Sequence, residues 1–163
     1  MSYLRFAAMI LASTVLMFGL MYLNTFAPEH VFFSQTRAWM TLMMGAAMTI
    51  VMIAFMGAMY PNPRVNIAVT ALAAVVFAGA LWLVRSQETV GDVAYMKAMI
   101  PHHSIAVLTS SRAHIRDPRV RALADGIIAT QLREIEEMKG LIEALEQTPV
   151  PADASDLPPR PAG

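Results

Sequence analysis

This chain of 163 residues holds 12 Lys/Arg and 12 Asp/Glu, yet only four of them, Arg5, Glu29, Arg37 and Arg64, precede Arg85. The charge-poor half contains three predominantly apolar runs without a charged residue, 6–26, 38–60 and 65–84. Each is about 20 residues, the length at which a helix crosses roughly 30 Å of hydrocarbon. Inside lipid no water serves the backbone amides and carbonyls, so a run of this kind is driven into a helix that satisfies them internally. Tyr22, Trp39, Tyr60 and Trp82 stand near the run ends, where amphipathic rings favour the bilayer interface. Arg5 and the lack of a small-x-small cleavage pattern before Asn24 argue for a retained first span over a removed signal peptide. The expected organisation is a three-helix transmembrane region over 1–84, a helical hairpin over 85–147 and a disordered, Pro/Ala-rich tail over 148–163.

Orientation hangs on few charges. Arg5 and Arg64 flank one side of the spans and Arg37 and Arg85 the other, so the positive-inside count is level and the N-terminal amine tips it toward an internal N-terminus. Three spans then carry everything after Arg85 to the outside. The absence of cysteine is compatible with an oxidising compartment. The expected location is a bacterial plasma (inner) membrane, multi-pass, with the hairpin facing the periplasm or cell exterior.

Pro61-Asn62-Pro63 is a tight turn that makes spans two and three antiparallel neighbours. Span two carries Met40, Met44, Met48, Met52 and Met56. A four-residue spacing drifts about 40° per step on an ideal helix, so the row winds around the helix and does not form a straight conduit. Methionine fills gaps where helices pack, and Gly45, Ala46 and Gly57 offer the small surfaces such packing uses. No ionisable group lies inside a span, which removes the usual mark of an ion pathway.

After Arg85 the pattern becomes that of water-facing helices. Thr89-Val90-Gly91-Asp92 resembles a capping box opening a helix toward His114, with Pro101 inside it and a kink expected there. Asp117-Pro118 is a restart signal, Asp as N-cap and Pro at the first helical position. The second helix is expected from Pro118 to about Gln147, with an apolar stripe of Val120, Leu123, Ala124, Ile127, Gln131, Glu134, Met138, Leu141 and Leu145.

The first hairpin helix concentrates metal-binding chemistry. At about 100° per residue, Asp92, Tyr95, Met96, Met99, His102, His103 and Ala106 fall within a sector of roughly 120°. Thioethers are soft donors suited to Cu(I), and imidazole is accepted by copper, zinc, nickel and iron. Zinc more often recruits Cys or carboxylates, and calcium or magnesium wants clustered oxygens, so copper comes first. Adjacent histidines diverge by about 100°. His103 with Met99 and Met96 is therefore the primary set, and His102 is a second ligand, an orienting group or a ligand across an interface. Counting back from the turn brings Gln131, Glu134 and Met138 to the same height, Met138 as a third sulfur and Glu134 as an oxygen ligand or a group that orients His103. His30, in the loop after span one, faces the same compartment and is either an auxiliary ligand or an ordinary interfacial histidine.

The run Tyr95 to Ala106, followed by Asp117 to Ala124 and Ile127 to Met138, resembles the bacterial domain of unknown function 305 family. The resemblance covers the last third to half of the chain. It implies a ferritin-like fold and, as in some members, copper binding and tolerance outside the cytoplasm. Position by position, the family's Met-Met-His-His motif falls on Met96, Met99, His102 and His103, and its downstream pattern on Gln131, Glu134, Ile135 and Met138. Where members often carry a further Met, six residues after the second His, this chain has Thr109.

The fold class expected is all-α: three transmembrane helices, then a ferritin-like half-bundle. Two helices alone bury little apolar surface, so the hairpin is expected to dimerise into a four-helix bundle or to lie against the membrane region, a homodimer being preferred. The expected function is a membrane-anchored extracytoplasmic protein that sequesters or handles copper at Met96, Met99, His102, His103, Met138 and Glu134, zinc or iron being the other candidate ions. The alternative is a non-metal structural or protein-interaction module. A balanced charge with no basic face argues against nucleic acid. With no phosphate-binding glycine loop, no Ser/His/Asp set and no paired catalytic carboxylates, no enzymatic activity is expected.

Overall fold

The computed structural model describes residues 2–151 and 153–159. Among them the chain is all helical, with α1 (Tyr3–Leu20), α2 (Gln35–Met56), α3 (Pro63–Ser86), α4 (Asp92–Arg112) and α5 (Pro118–Gln147) and no strand. Short 3-10 turns lie at Pro28–His30 before α2 and at Gly57–Met59 after it. Three helices, Tyr3–Leu20, Gln35–Met59 including that turn, and Pro63–Ser86, are long and apolar enough to cross a membrane. Residues 152 and 160–163 of the expected tail lie outside the described residues, and the rest of the tail forms no helix.

The helix starts follow local chemistry. Ser2, Ser34, Asn62 and Asp117 each accept a backbone N–H of the first turn through a side-chain oxygen, serving donors that have no partner within the helix. Pro63 and Pro118 begin α3 and α5, where the missing N–H is not needed. The expected capping box before α4 does not form. Gly91 is the N-cap without a side-chain bond, and Thr89 Oγ1 instead accepts the Trp39 indole N–H at 3.2 Å, fastening the start of the hairpin to the start of α2. Gln87 ends α3 in the left-handed conformation (φ 55°), so α4 does not continue α3. The helix α4 runs unbroken through Pro101 and stops at Arg112, short of His114.

Within the apolar half, α2 packs against both α1 and α3. A buried knot of Phe6, Ile53 and Tyr60, joined by Tyr3, Met52, Met56 and Val69, closes the end where α1 and α3 begin. The Tyr3 hydroxyl meets Asn62 O and Asn66 Oδ1 at 3.1 and 2.9 Å, tying those two helix starts together. Halfway along, a Cβ at Gly45 would stand 2.5 Å from Thr14 Oγ1, so only glycine permits this approach of α1 and α2. Met40, Met43, Met44, Met48, Met52 and Met56 are all half-buried, consistent with packing. At the opposite end Arg37 donates to Met21 O at 2.9 Å and lies 4.5 Å from the centre of the Tyr22 ring. A cation thus meets the carbonyl end of α1, where the helix dipole is negative.

The hairpin core is Met96, Ile100, Ile135 and Ile142, with Val93, Met138 and Leu145 packed against it and Phe32 of the α1–α2 loop added from outside. This corrects the expected stripe of α5. Ala124, Ile135 and Ile142 are the buried residues, whereas Val120, Leu123, Ile127 and Leu141 remain 49, 66, 37 and 48% exposed. The reason is that α5 carries two apolar arcs about 80° apart. The arc containing Ile135 and Ile142 meets α4 and the loop; of the expected stripe, Ala124 is buried and Met138 and Leu145 pack against that core, while Val120, Leu123, Ile127 and Leu141 are left open.

Candidate metal centre

On the open side of the hairpin, α4 and α5 border a groove of about 730 Å³. From α4 it receives Asp92, Tyr95, Met96, Met99 and His103, and from α5 Glu134, Glu137, Met138 and Leu141 among others. Five of the six expected ligands therefore share one groove. His102 does not line it. It is exposed, with its ring centre 6.1 Å from that of His103, as the 100° step between neighbours on a helix requires. Continuity of α4 through Pro101 has not turned the two rings to one point.

His103 is the donor with both ring nitrogens in polar contact. Its Nδ1 is 3.0 Å from Met99 O, and because a carbonyl only accepts, Nδ1 carries a proton. The lone pair or second proton of the ring is then at Nε2, which stands 2.9 Å from Glu134 Oε2. The imidazole is 12% exposed and Glu134 39%. Gln131 Nε2 reaches the same oxygen at 3.5 Å, a contact at the limit of hydrogen bonding. A backbone bond on one nitrogen that presents the other to a ligand is the arrangement common for metal-bound histidine.

The sulfurs differ in accessibility. Met96 is buried in the hairpin core and borders the groove from below, while Met99 and Met138 are half-buried. Among the described residues no cluster of three or more His, Cys, Asp or Glu could hold a metal. The donors gathered here are one imidazole, one carboxylate and thioethers. Such a set matches a soft ion better than a hard one.

His30 lies on another face of α4. It is 5% exposed, its Nδ1 is 3.0 Å from Ser104 Oγ, and Ser104 Oγ also accepts the Phe26 N–H at 2.7 Å. Burial, first, and Lys139 nearby hold its pKa below the ordinary 6.5, opposed by Glu29 and Glu136. It is a neutral structural histidine, away from the groove. Ser104, fully buried, is the residue sequence reasoning missed. A serine beside two histidines has no pattern of its own, and its partners are 74 and 78 positions away.

Comparison with known proteins falls on this hairpin. Residues 92–161, from the first residue of α4 onward, match the model of the family described as Domain of unknown function (DUF305). The matched stretch contains all six expected ligands and none of the three apolar helices. A stretch of 65 residues is 37% identical to "Uncharacterized protein L153" of Acanthamoeba polyphaga mimivirus, over 39% of this chain and 43% of that protein. The chain thus spans less than half the length of the curated relative it matches. No solved structure matches it.

Proposed function

We propose that this chain is a membrane-anchored metal-binding protein that sequesters or hands on copper at the open groove of its hairpin, on the extracytoplasmic side of a bacterial plasma membrane. The observation that carries the reading is the His103 Nε2 to Glu134 Oε2 contact at 2.9 Å, with Met99 and Met138 on the same groove. His103 supplies Nε2, oriented by the Met99 carbonyl. Met99 and Met138 supply thioether sulfur, Met96 a deeper sulfur, and Glu134 an oxygen ligand beside Nε2, since an ion on Nε2 leaves no N–H there for the carboxylate to accept. His102 stands outside this set and is assigned as a ligand to an ion shared across an interface. Zinc and iron remain the competing ions, and no catalytic role is assigned.

The test uses the full chain in detergent, titrated with Cu(I) and Cu(II). Met99→Ala, His103→Ala and Glu134→Gln are each expected to weaken binding at least tenfold, the least that losing even a group that orients a ligand typically costs. Equal affinity across wild type and all variants overturns the proposal. It would favour the alternative of a structural or interaction module, in which His103 and Glu134 merely join α4 to α5. Native metal content of the purified protein distinguishes copper from zinc and iron. For sidedness, a single cysteine placed in the tail of this cysteine-free chain should react with an impermeant thiol reagent from outside. Labelling from the cytoplasmic side alone would reverse the orientation.

A further inference from the structure

The open arc of α5 has no partner among the described residues, and its charge pattern says what fits it. Val120, Leu123 and Ile127 are exposed along one line, and beside them Ala122, Leu123, Gly126, Ile127, Thr130 and Gln131 frame a shallow hollow of about 420 Å³. Nothing lies within 4 Å of where a Cβ on Gly126 would stand. Residues 112–125 carry Arg112, Arg116, Arg119 and Arg121 against Asp117 and Asp125, a net of +2. Residues 134–146 carry Glu134, Glu136, Glu137, Glu143 and Glu146 against Lys139, a net of −4. Internal ion pairs join Arg119 to Asp117, Arg121 to Asp125, Lys139 to Glu136 and Lys97 to Glu146. Among the described residues Arg112 and Arg116 at one end, and Glu137 and Glu143 at the other, take no ion pair.

We infer that a second copy of this chain occupies this face, open arc against open arc, with the two α5 helices antiparallel about a two-fold axis close to Gly126. A surface that is basic at one end and acidic at the other complements itself only when reversed, the arrangement a two-fold interface imposes. Parallel alignment would set arginine against arginine and glutamate against glutamate, which disfavours association. With the axis between residues 126 and 127, Ile127 of each copy faces the hollow over Gly126 of the other, and Arg116 faces Glu137. If both copies sit in one bilayer, the axis is normal to it and the hairpin must lie across the end of the apolar helices. In keeping with this, α4 begins beside the end of α3 and is fastened at Ser104 to the α1–α2 loop. The pairing does not rest on the metal reading, and its test is made on metal-stripped protein.

The full chain in detergent is measured by light scattering corrected for bound detergent, then by diamide oxidation of single-cysteine variants. A protein mass of twice 17.8 kDa is expected. Ile127→Cys should form a disulfide dimer, whereas Val120→Cys should not, because antiparallel mates at that position are about 20 Å apart along the axis. Gly126→Leu, whose Cβ would stand in open space, fills the hollow and should weaken pairing at least tenfold while helicity and Tm hold. Arg116→Glu should weaken pairing, and adding Glu137→Arg should restore it. A monomer at every concentration overturns the inference, as does a dimer cross-linked through Val120→Cys and not through Ile127→Cys.

Discussion

His30 and Ser104 are where single residues most affect the behaviour of the protein. The buried imidazole is held below its ordinary pKa of 6.5 by burial and by Lys139, so the folded state binds fewer protons at this site than the unfolded chain. Its neutral form favours folding fully above about pH 6.5, and that advantage is lost as pH falls from there through the lower folded value. Melting temperature should therefore drop between about pH 7 and pH 5 in the wild type, and less so in His30→Gln, which keeps polar contacts without a charge. Identical losses in both proteins would remove His30 as the source. Ser104→Ala leaves the Phe26 N–H and the His30 ring without their shared partner. It should cost about 1–3 kcal/mol, the usual penalty for orphaning a buried polar group, measured by denaturant unfolding in detergent. Met96, Met99, His103, Glu134 and Met138 were legible in the sequence because helical periodicity and a short turn fix their heights. The His30 bond was not, because no local rule relates positions 74 apart.

At the scale of elements, α5 shows how far periodicity reaches. Counting apolar residues at helical spacing found a genuine stripe, but two apolar arcs lie side by side and nothing local says which one faces α4. The structure chose the arc of Ile135 and Ile142, with Ala124 of the counted stripe buried at its edge. Replacing Ile135 by Ala should cost about 2–5 kcal/mol, as for other fully buried aliphatic side chains. Leu123→Ala on the exposed arc should leave monomer unfolding within about 0.5 kcal/mol of wild type. Comparable losses from both variants would mean that the packed face has been misassigned. The start of α5 was legible for a different reason. Asp117 accepts the Arg119 N–H at 2.8 Å and grips its guanidinium at 2.7 Å, which holds its carboxyl below the usual range. Asp-Pro announces this locally. The box at Thr89 failed because Trp39, 50 residues earlier, takes the threonine hydroxyl.

For the whole molecule, charge depletion announced three long apolar helices, and their order along the chain follows from length alone. What composition could not convey is how the apolar half grips the hairpin. Phe32 sits on the core of Met96, Ile100, Ile135 and Ile142, Phe26 and His30 bond Ser104, and Trp39 bonds Thr89. The compositional border at Arg85 is therefore crossed by packing and hydrogen bonds. A hairpin cut free at that border should melt at a lower temperature than the same hairpin in the full chain and bind more of a hydrophobic dye.

The grip of the α1–α2 loop also has an engineering consequence. The transplantable unit is not a contiguous stretch of sequence, since Phe26, His30 and Phe32 join the hairpin although α2 and α3 stand between them and it in the chain. Grafting the hairpin onto a foreign anchor would carry the whole lining of the groove but leave behind the loop that packs on the other side of α4. A chimera that includes the loop keeps Ser104, the immediate neighbour of His103, wedged from behind. Without the loop, the helix that carries that histidine is held by α5 alone.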